Sequence, residues 1–214
     1  MYQTIVFDLD GTLIDSQQGV TKSVRYAVEK MELSAPPLEE LRVFIGPPLY
    51  DSFQKQFGFD RNQAERAIAF YREYYVAAGI YEHIVYPGIR ELLQMLYEAG
   101  KRVIVATSKP GPFAEKILRE EGLWQYIYHL EGATMDESVT DKTLILEQGL
   151  LRGEGRAVMI GDRHFDVCAA HDCGIDSVGV LYGFGSEAEL QECRPTYLIK
   201  TVADLFSIFS LPQQ

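Results

Sequence analysis

The chain has 214 residues, 47% of them hydrophobic and 24% charged, with a formal net charge of −11. That length and apolar content suit one main soluble domain carrying a sizeable insertion, and the charge argues against nucleic acid or an anionic membrane as a partner. No apolar run approaches the roughly 18 residues of a spanning helix, no secretory pattern opens the chain, and Cys168, Cys173 and Cys193 lack CxxC spacing, so free thiols in a reducing, cytoplasmic setting are expected.

The first predicted element is a strand, Thr4-Ile5-Val6-Phe7, leading into Asp8-Leu9-Asp10-Gly11-Thr12. In extended backbone, residues i and i+2 leave the same face, so Asp8 and Asp10 point together while Leu9 turns to the core. Like charges side by side raise the cost of ionising each other, which calls for a cation or a shared proton there. Residues 16–31 read as a helix from the spacing of Val20, Val24, Ala27, Val28 and Met31. Shorter helices are predicted over 38–44 and 49–57, on either side of Gly46-Pro47-Pro48, and a longer one over 62–78. Residues 16–82 therefore hold no strand candidate. From Tyr86-Pro87-Gly88 onward the pattern alternates: strands over 102–106, 126–130, 157–160, 177–181 and 197–199, with helices over 89–99, 111–121, 141–151, 165–173, 186–192 and 202–209. Such alternation predicts an α/β fold, a doubly wound, Rossmann-like parallel sheet covered on both faces. Its expected segments are 1–15 and 83–214, with 16–82 inserted as an all-α domain.

Ligands of such sheets sit outside the carboxyl ends of the strands. Three predicted strands deliver polar residues there: Asp8 and Asp10 from the first, Thr107, Ser108 and Lys109 from the second, Asp162 and Asp166 from the third. Asp8, Asp10 and Asp162 make a hard-oxygen cluster with no His or Cys at ligand spacing, which favours magnesium over zinc or copper. Asp8 keeps one oxygen free as a nucleophile. Asp10 can ligate through its backbone carbonyl, leaving its carboxylate for proton transfer. Asp166 is read either as a ligand or as a brace for Lys142 and metal-bound water. Thr107 offers a hydroxyl and an N–H to a phosphoryl group, and Lys142, placed near a helix N-terminus where a cation is disfavoured, calls for an anion to hold it. Lys109 is read either as a pocket residue or as a surface charge beside Pro110.

Asp8-Leu9-Asp10-Gly11-Thr12, Thr107, Lys142 and Gly161-Asp162-Arg163-His164-Phe165-Asp166 resemble, in order, the four motifs of the haloacid dehalogenase superfamily of phosphatases. The resemblance covers essentially the whole chain, and residues 16–82 look like that superfamily's helical cap. The Gly46-Pro47-Pro48 loop and the Ser108-Lys109-Pro110 stretch are similar to those of the phosphoglycolate-phosphatase-like subfamily, although many relatives carry asparagine where this chain has Ser108. The resemblance implies attack of Asp8 on phosphorus, an aspartyl-phosphate, acid and base work by Asp10, phosphoryl contacts from Thr107, Ser108 and Lys142, and magnesium as cofactor.

The expected function is hydrolysis of a small phosphomonoester, phosphoglycolate-like or a nucleotide or sugar phosphate, by a monomer or homodimer. A phosphosugar mutase and a non-catalytic phospholigand-binding protein are the alternatives. Arg42, Tyr50 and Lys55 are candidate substrate contacts in the helical segment. His164 is expected to face solvent or pack on its helix, and Tyr71, Tyr74 and Tyr75 to be packing residues. Gly183 and Gly185 are read either as a loop closing over the site or as ordinary turn glycines.

Overall fold

The computed structural model describes residues 1–136 and 138–209; Glu137 and the last five residues of the expected 83–214 segment lie outside the described residues. The chain divides into two compact units, Met1–Ile14 with Val85–Gln214, and Asp15–Ile84.

The first unit is the α/β one. Along the whole chain, both units included, β1 (Thr4–Phe7) is followed by β2 (Ile14–Asp15), α1 (Gln17–Lys30), α2 (Leu49–Phe57), α3 (Arg61–Ala77) and β3 (Ile84–Val85). Then come α4 (Ile89–Glu98), β4 (Arg102–Pro110), α5 (Gly111–Glu120), β5 (His129–Ala133), α6 (Lys142–Leu150), β6 (Ala157–Gly161), α7 (His164–Asp172), β7 (Asp176–Val180), α8 (Glu187–Glu192), β8 (Tyr197–Ile199) and α9 (Val202–Phe209). Six strands form one sheet in the order β5-β4-β1-β6-β7-β8, while β2 pairs with β3. Every neighbouring pair in the six-stranded sheet is parallel. Strands covered on both faces need apolar side chains at every position, not at alternate ones. β1 shows this directly, for Thr4, Ile5, Val6 and Phe7 are all buried. Among the described residues no helix is long and apolar enough to cross a membrane.

The register sets the site. Phe7 is abreast of Val105 on one side and of Ile160 on the other, so the residues just beyond, Asp8, Thr107 and Asp162, emerge together at one rim. The ladder runs on into Asp8, whose N–H donates to the Ile160 carbonyl at 2.9 Å.

β4 runs on to Pro110, past the expected 102–106, β2 and β3 match no expected strand, and two further elements take another form. The strand expected over 126–130 begins only at His129, and Trp124–Tyr126 is a 3-10 turn. The apolar run misleads because Tyr128 faces out, 57% exposed, and lies under the Arg102 guanidinium at 4.7 Å. The true strand reads polar because Gly132 passes so close to Gly111 that a Cβ would meet its backbone at 2.7 Å. The second deviation is 38–44, which forms a 3-10 turn over Glu40–Phe44 and not an α-helix.

In the helical unit, α3 starts with a capping box: Asp60 Oδ1 accepts from Gln63 N–H and Gln63 Oε1 from Asp60 N–H, both at 2.9 Å. Phe44, Phe53, Phe57 and Phe59 pack ring on ring, with Phe44 and Phe53 centroids 4.9 Å apart. Tyr71 and Tyr75 are buried and stacked at 5.4 Å, which makes them packing residues.

Candidate active site

Asp8, Asp10, Thr107, Lys142, Asp162 and Asp166 are all buried, although each is polar or charged. Burial of charge is costly unless the groups are paired, and here the pairing is specific. Asp141 caps α6 by accepting from Leu144 N–H at 3.0 Å, which makes Lys142 the first residue of the helix. The Lys142 ammonium lies 2.8 Å from Asp8 Oδ1 and 2.8 Å from Asp166 Oδ1. Those two carboxylates are what hold a cation at a helix start. Asp166 also serves α7, since its Oδ2 accepts from Arg163 N–H at 3.0 Å. It thus braces Lys142 and stands in the acidic cluster at once.

Carboxylate oxygens of Asp8, Asp162 and Asp166 lie within 4.8 Å of one another. The Asp10 carboxylate is not in that trio. It turns to Lys109, whose ammonium lies 2.7 Å from both of its oxygens. Lys109 therefore belongs to the site and not to the surface. Thr107 Oγ1 accepts from Lys109 N–H at 3.2 Å. Ser108 is half-buried beside it.

Asp162 is enclosed from three directions. Phe184 N–H donates to its Oδ2 at 2.7 Å, and Thr12 Oγ1 approaches Oδ1 at 3.5 Å. Tyr182 O–H donates to the Thr12 carbonyl at 3.1 Å and fastens the two loops together. Gly11 has φ +82°, and a side chain there would run into the Asp162 carboxylate. A Cβ at Gly183 would strike Asp162 and the Gly11 carbonyl. Gly183 thus packs against the acidic cluster. Phe184 is a functional contact that residue types do not advertise, because it acts through its backbone N–H; the flanking glycines were the available signal. His164 bonds outward, its Nδ1 lying 2.8 Å from Glu189 Oε1.

The charge balance of the site favours a cation. Four carboxylates (Asp8, Asp10, Asp162, Asp166) face two ammonium groups (Lys109, Lys142), so two negative charges are left over when all are ionised. Burial, reinforced by Asp166 and Asp8, pushes Asp162 well above the usual carboxylate range. Burial also raises Asp8, against the pull of Lys142, to about 6. Burial disfavours the charged form of Lys142, but Asp166 and Asp8 together outweigh it and hold the ammonium protonated above its ordinary value. Protons or a cation must supply the missing positive charge. An all-oxygen donor set with a twofold charge deficit fits a hard divalent ion.

Comparison with known proteins identifies the family. The family model for haloacid dehalogenase-like hydrolases matches residues 5–180. The chain is similar to a 5'-nucleotidase of Pseudomonas aeruginosa, 41% identical over 95% of this chain and 94% of the relative. It is 38% identical to the tyrosine-protein kinase PtkA of Mycobacterium bovis, over 86% of this chain but 63% of the relative. Among solved structures, that of a predicted phosphatase from Clostridium acetobutylicum superposes with a TM-score of 0.93 at 38% identity, covering 97% of this chain and 98% of the other.

Proposed function

The chain belongs to the haloacid dehalogenase-like hydrolase family, and from that premise we propose that it is a magnesium-dependent phosphatase of small phosphomonoesters working through an aspartyl-phosphate. The observation that carries the proposal is Asp8, held at 2.8 Å by Lys142 within the trio of buried carboxylates, while neighbouring Asp10 is held apart by Lys109. Two carboxylates two residues apart thereby sit in different environments and take different roles.

Asp8 attacks phosphorus in line as the ester P–O bond breaks, which divides one difficult displacement into two. Asp10 gives a proton to the departing alkoxide, then takes one from the water that hydrolyses the phosphoaspartate. Thr107 donates its hydroxyl to a phosphoryl oxygen. Lys142 offsets charge on the transferring group and fixes the nucleophile in one orientation. Asp8, the Asp10 carbonyl and Asp162 would hold the magnesium ion, with Asp166 beside them, and the ion would neutralise charge on the phosphoryl oxygens.

In this reading the α/β unit performs the chemistry and the Asp15–Ile84 unit selects the substrate. Nucleoside monophosphates come first in the substrate order, given the name of the Pseudomonas relative, followed by phosphoglycolate and sugar phosphates. The test is phosphate release across such a panel, with magnesium and with chelator, beside Asp8→Asn. Release that needs magnesium and vanishes in the variant supports the proposal. An active Asp8→Asn protein, or transfer of the phosphoryl group to another hydroxyl without release of phosphate, refutes it.

A further inference from the structure

Away from the catalytic rim, α7 and α8 meet at two points. At the first, Glu189 Oε1 accepts from Arg163 Nε at 2.8 Å and from His164 N–H at 3.1 Å. At the second, Cys168 Sγ of α7 lies 2.8 Å from Sγ of Cys193, the residue that ends α8. Both are free thiols and both are half-buried. Neither takes part in the chemistry assigned to the site. A disulfide bond is about 2.05 Å long, so the two sulfurs stand less than about 1 Å from bonding distance. Cys173, the remaining cysteine, ends α7 and packs against the core cluster of Val6, Ile104, Met159 and Ala170.

We propose that Cys168 and Cys193 form a reversible disulfide site that joins α7 to α8. The oxidant is a small-molecule disulfide such as oxidised glutathione. One protein thiolate attacks a sulfur of the oxidant, breaking its S–S bond and releasing one small thiol. The neighbouring protein thiolate then attacks the resulting mixed disulfide, forming Cys168–Cys193 and releasing the second small thiol. Two protein S–H bonds are lost, one S–S bond forms, and the oxidant carries away both electrons and both protons. Burial and the adjacent Cys168 thiol push Cys193 up to about 12. That lowers the thiolate fraction and slows the exchange at neutral pH, while the extent of closure follows the redox poise of the solution.

A cross-link between residues 168 and 193 closes a loop of intermediate length and constrains the unfolded chain. For a protein of this size the melting temperature should rise by roughly 5–10 °C. The experiment takes the full chain through glutathione redox buffers from reducing to oxidising, with acid quench, alkylation and peptide mapping. Titratable thiols, three in the reduced chain, should fall to one. A Cys168–Cys193 linked peptide should appear, the melting temperature should rise, and dithiothreitol should reverse all three changes. Cys173→Ser should behave like the parent, whereas Cys193→Ser should show no oxidant-dependent rise. Linkage through Cys173, glutathione adducts without an internal bond, or unchanged thiols at the oxidising end would each overturn the proposal. The peptide map of the unmutated chain decides the matter even if a variant fails to fold.

Discussion

Asp162→Asn is the sharpest test of the acidic cluster, because it should stabilise the protein while disabling it. Asp162 is fully buried, and its carboxyl oxygens share a space of 4.8 Å with those of Asp8 and Asp166. Two unit charges at that separation repel by about 3.5 kcal/mol at an effective dielectric of roughly 20. Burial and its acidic neighbours raise the Asp162 carboxyl well above the usual range, so folding favours its protonated form. Taking up a proton near neutral pH costs at most about 4 kcal/mol relative to an unfolded carboxylate, from 1.36 kcal/mol per pH unit. Asparagine avoids that cost and its side-chain carbonyl can still accept from Phe184 N–H. A gain of about 2 kcal/mol, or a melting temperature higher by roughly 4–8 °C, is expected in metal-free buffer.

The sign follows from the direction of the shift. A carboxyl raised by folding contributes stability below its unfolded pKa, and that contribution is lost as pH rises through the folded value. The advantage of the variant should therefore be largest at neutral pH and disappear by about pH 4. Magnesium should reverse the ranking: it raises the melting temperature of the parent by mass action and leaves the variant nearly unmoved. Differential scanning fluorimetry across pH, with chelator and with excess magnesium, reads both effects. A metal-free variant less stable than the parent at neutral pH, or one with the full magnesium response, would refute the charge argument.

Lys109→Ala should lower kcat by roughly 10–100-fold with KM little changed, because it frees the carboxylate assigned to proton transfer and not the phosphoryl contacts; steady-state kinetics on the best substrate decide. Gly183→Ala should cost about 1–3 kcal/mol in thermal or urea unfolding and blunt the magnesium response, since its Cβ would strike Asp162 and the Gly11 carbonyl. Glu189→Gln should destabilise by about 1–3 kcal/mol at neutral pH by weakening its charge-assisted bonds. Although burial works the other way, bonds from His164 and Arg163 lower Glu189 to about 2. Its contribution is thus complete above its ordinary value and lost as pH falls toward about 2, so the parent and variant unfolding curves should converge on acidification.

The α/β architecture was legible because strands buried on both faces have to read as apolar runs. Thr4–Phe7 and Ala157–Gly161 could be little else, and their polar ends marked the rim. Lys142 was legible for a different reason: a cation at a helix start is an anomaly that only a nearby anion resolves. β5 was hidden because its position depends on a glycine-to-glycine approach, and glycine in sequence reads as a turn. The Lys109–Asp10 pair joins adjacent strands through a long flexible side chain, a reach that no spacing rule encodes. Cys168 and Cys193 carry no pairing motif; their contact comes from how α7 and α8 pack.

The acidity of the whole chain and the acidity of the site present one problem to an incoming phosphate ester. A net charge of −11 gives no long-range attraction for an anion, and the leftover charge at the rim repels it at contact. Lys142 offsets only part of this, since it and Lys109 are each already engaged by carboxylates at 2.7–2.8 Å. Extra lysines would attract phosphate, but they would also pair with Asp8 and blunt the nucleophile. Under the proposed function, a divalent ion among the carboxylates would cancel the twofold deficit while leaving Asp8 an oxygen free to attack. In that arrangement the acidic cluster would itself make the site attractive to an anion, and substrate affinity would be conditional on the metal.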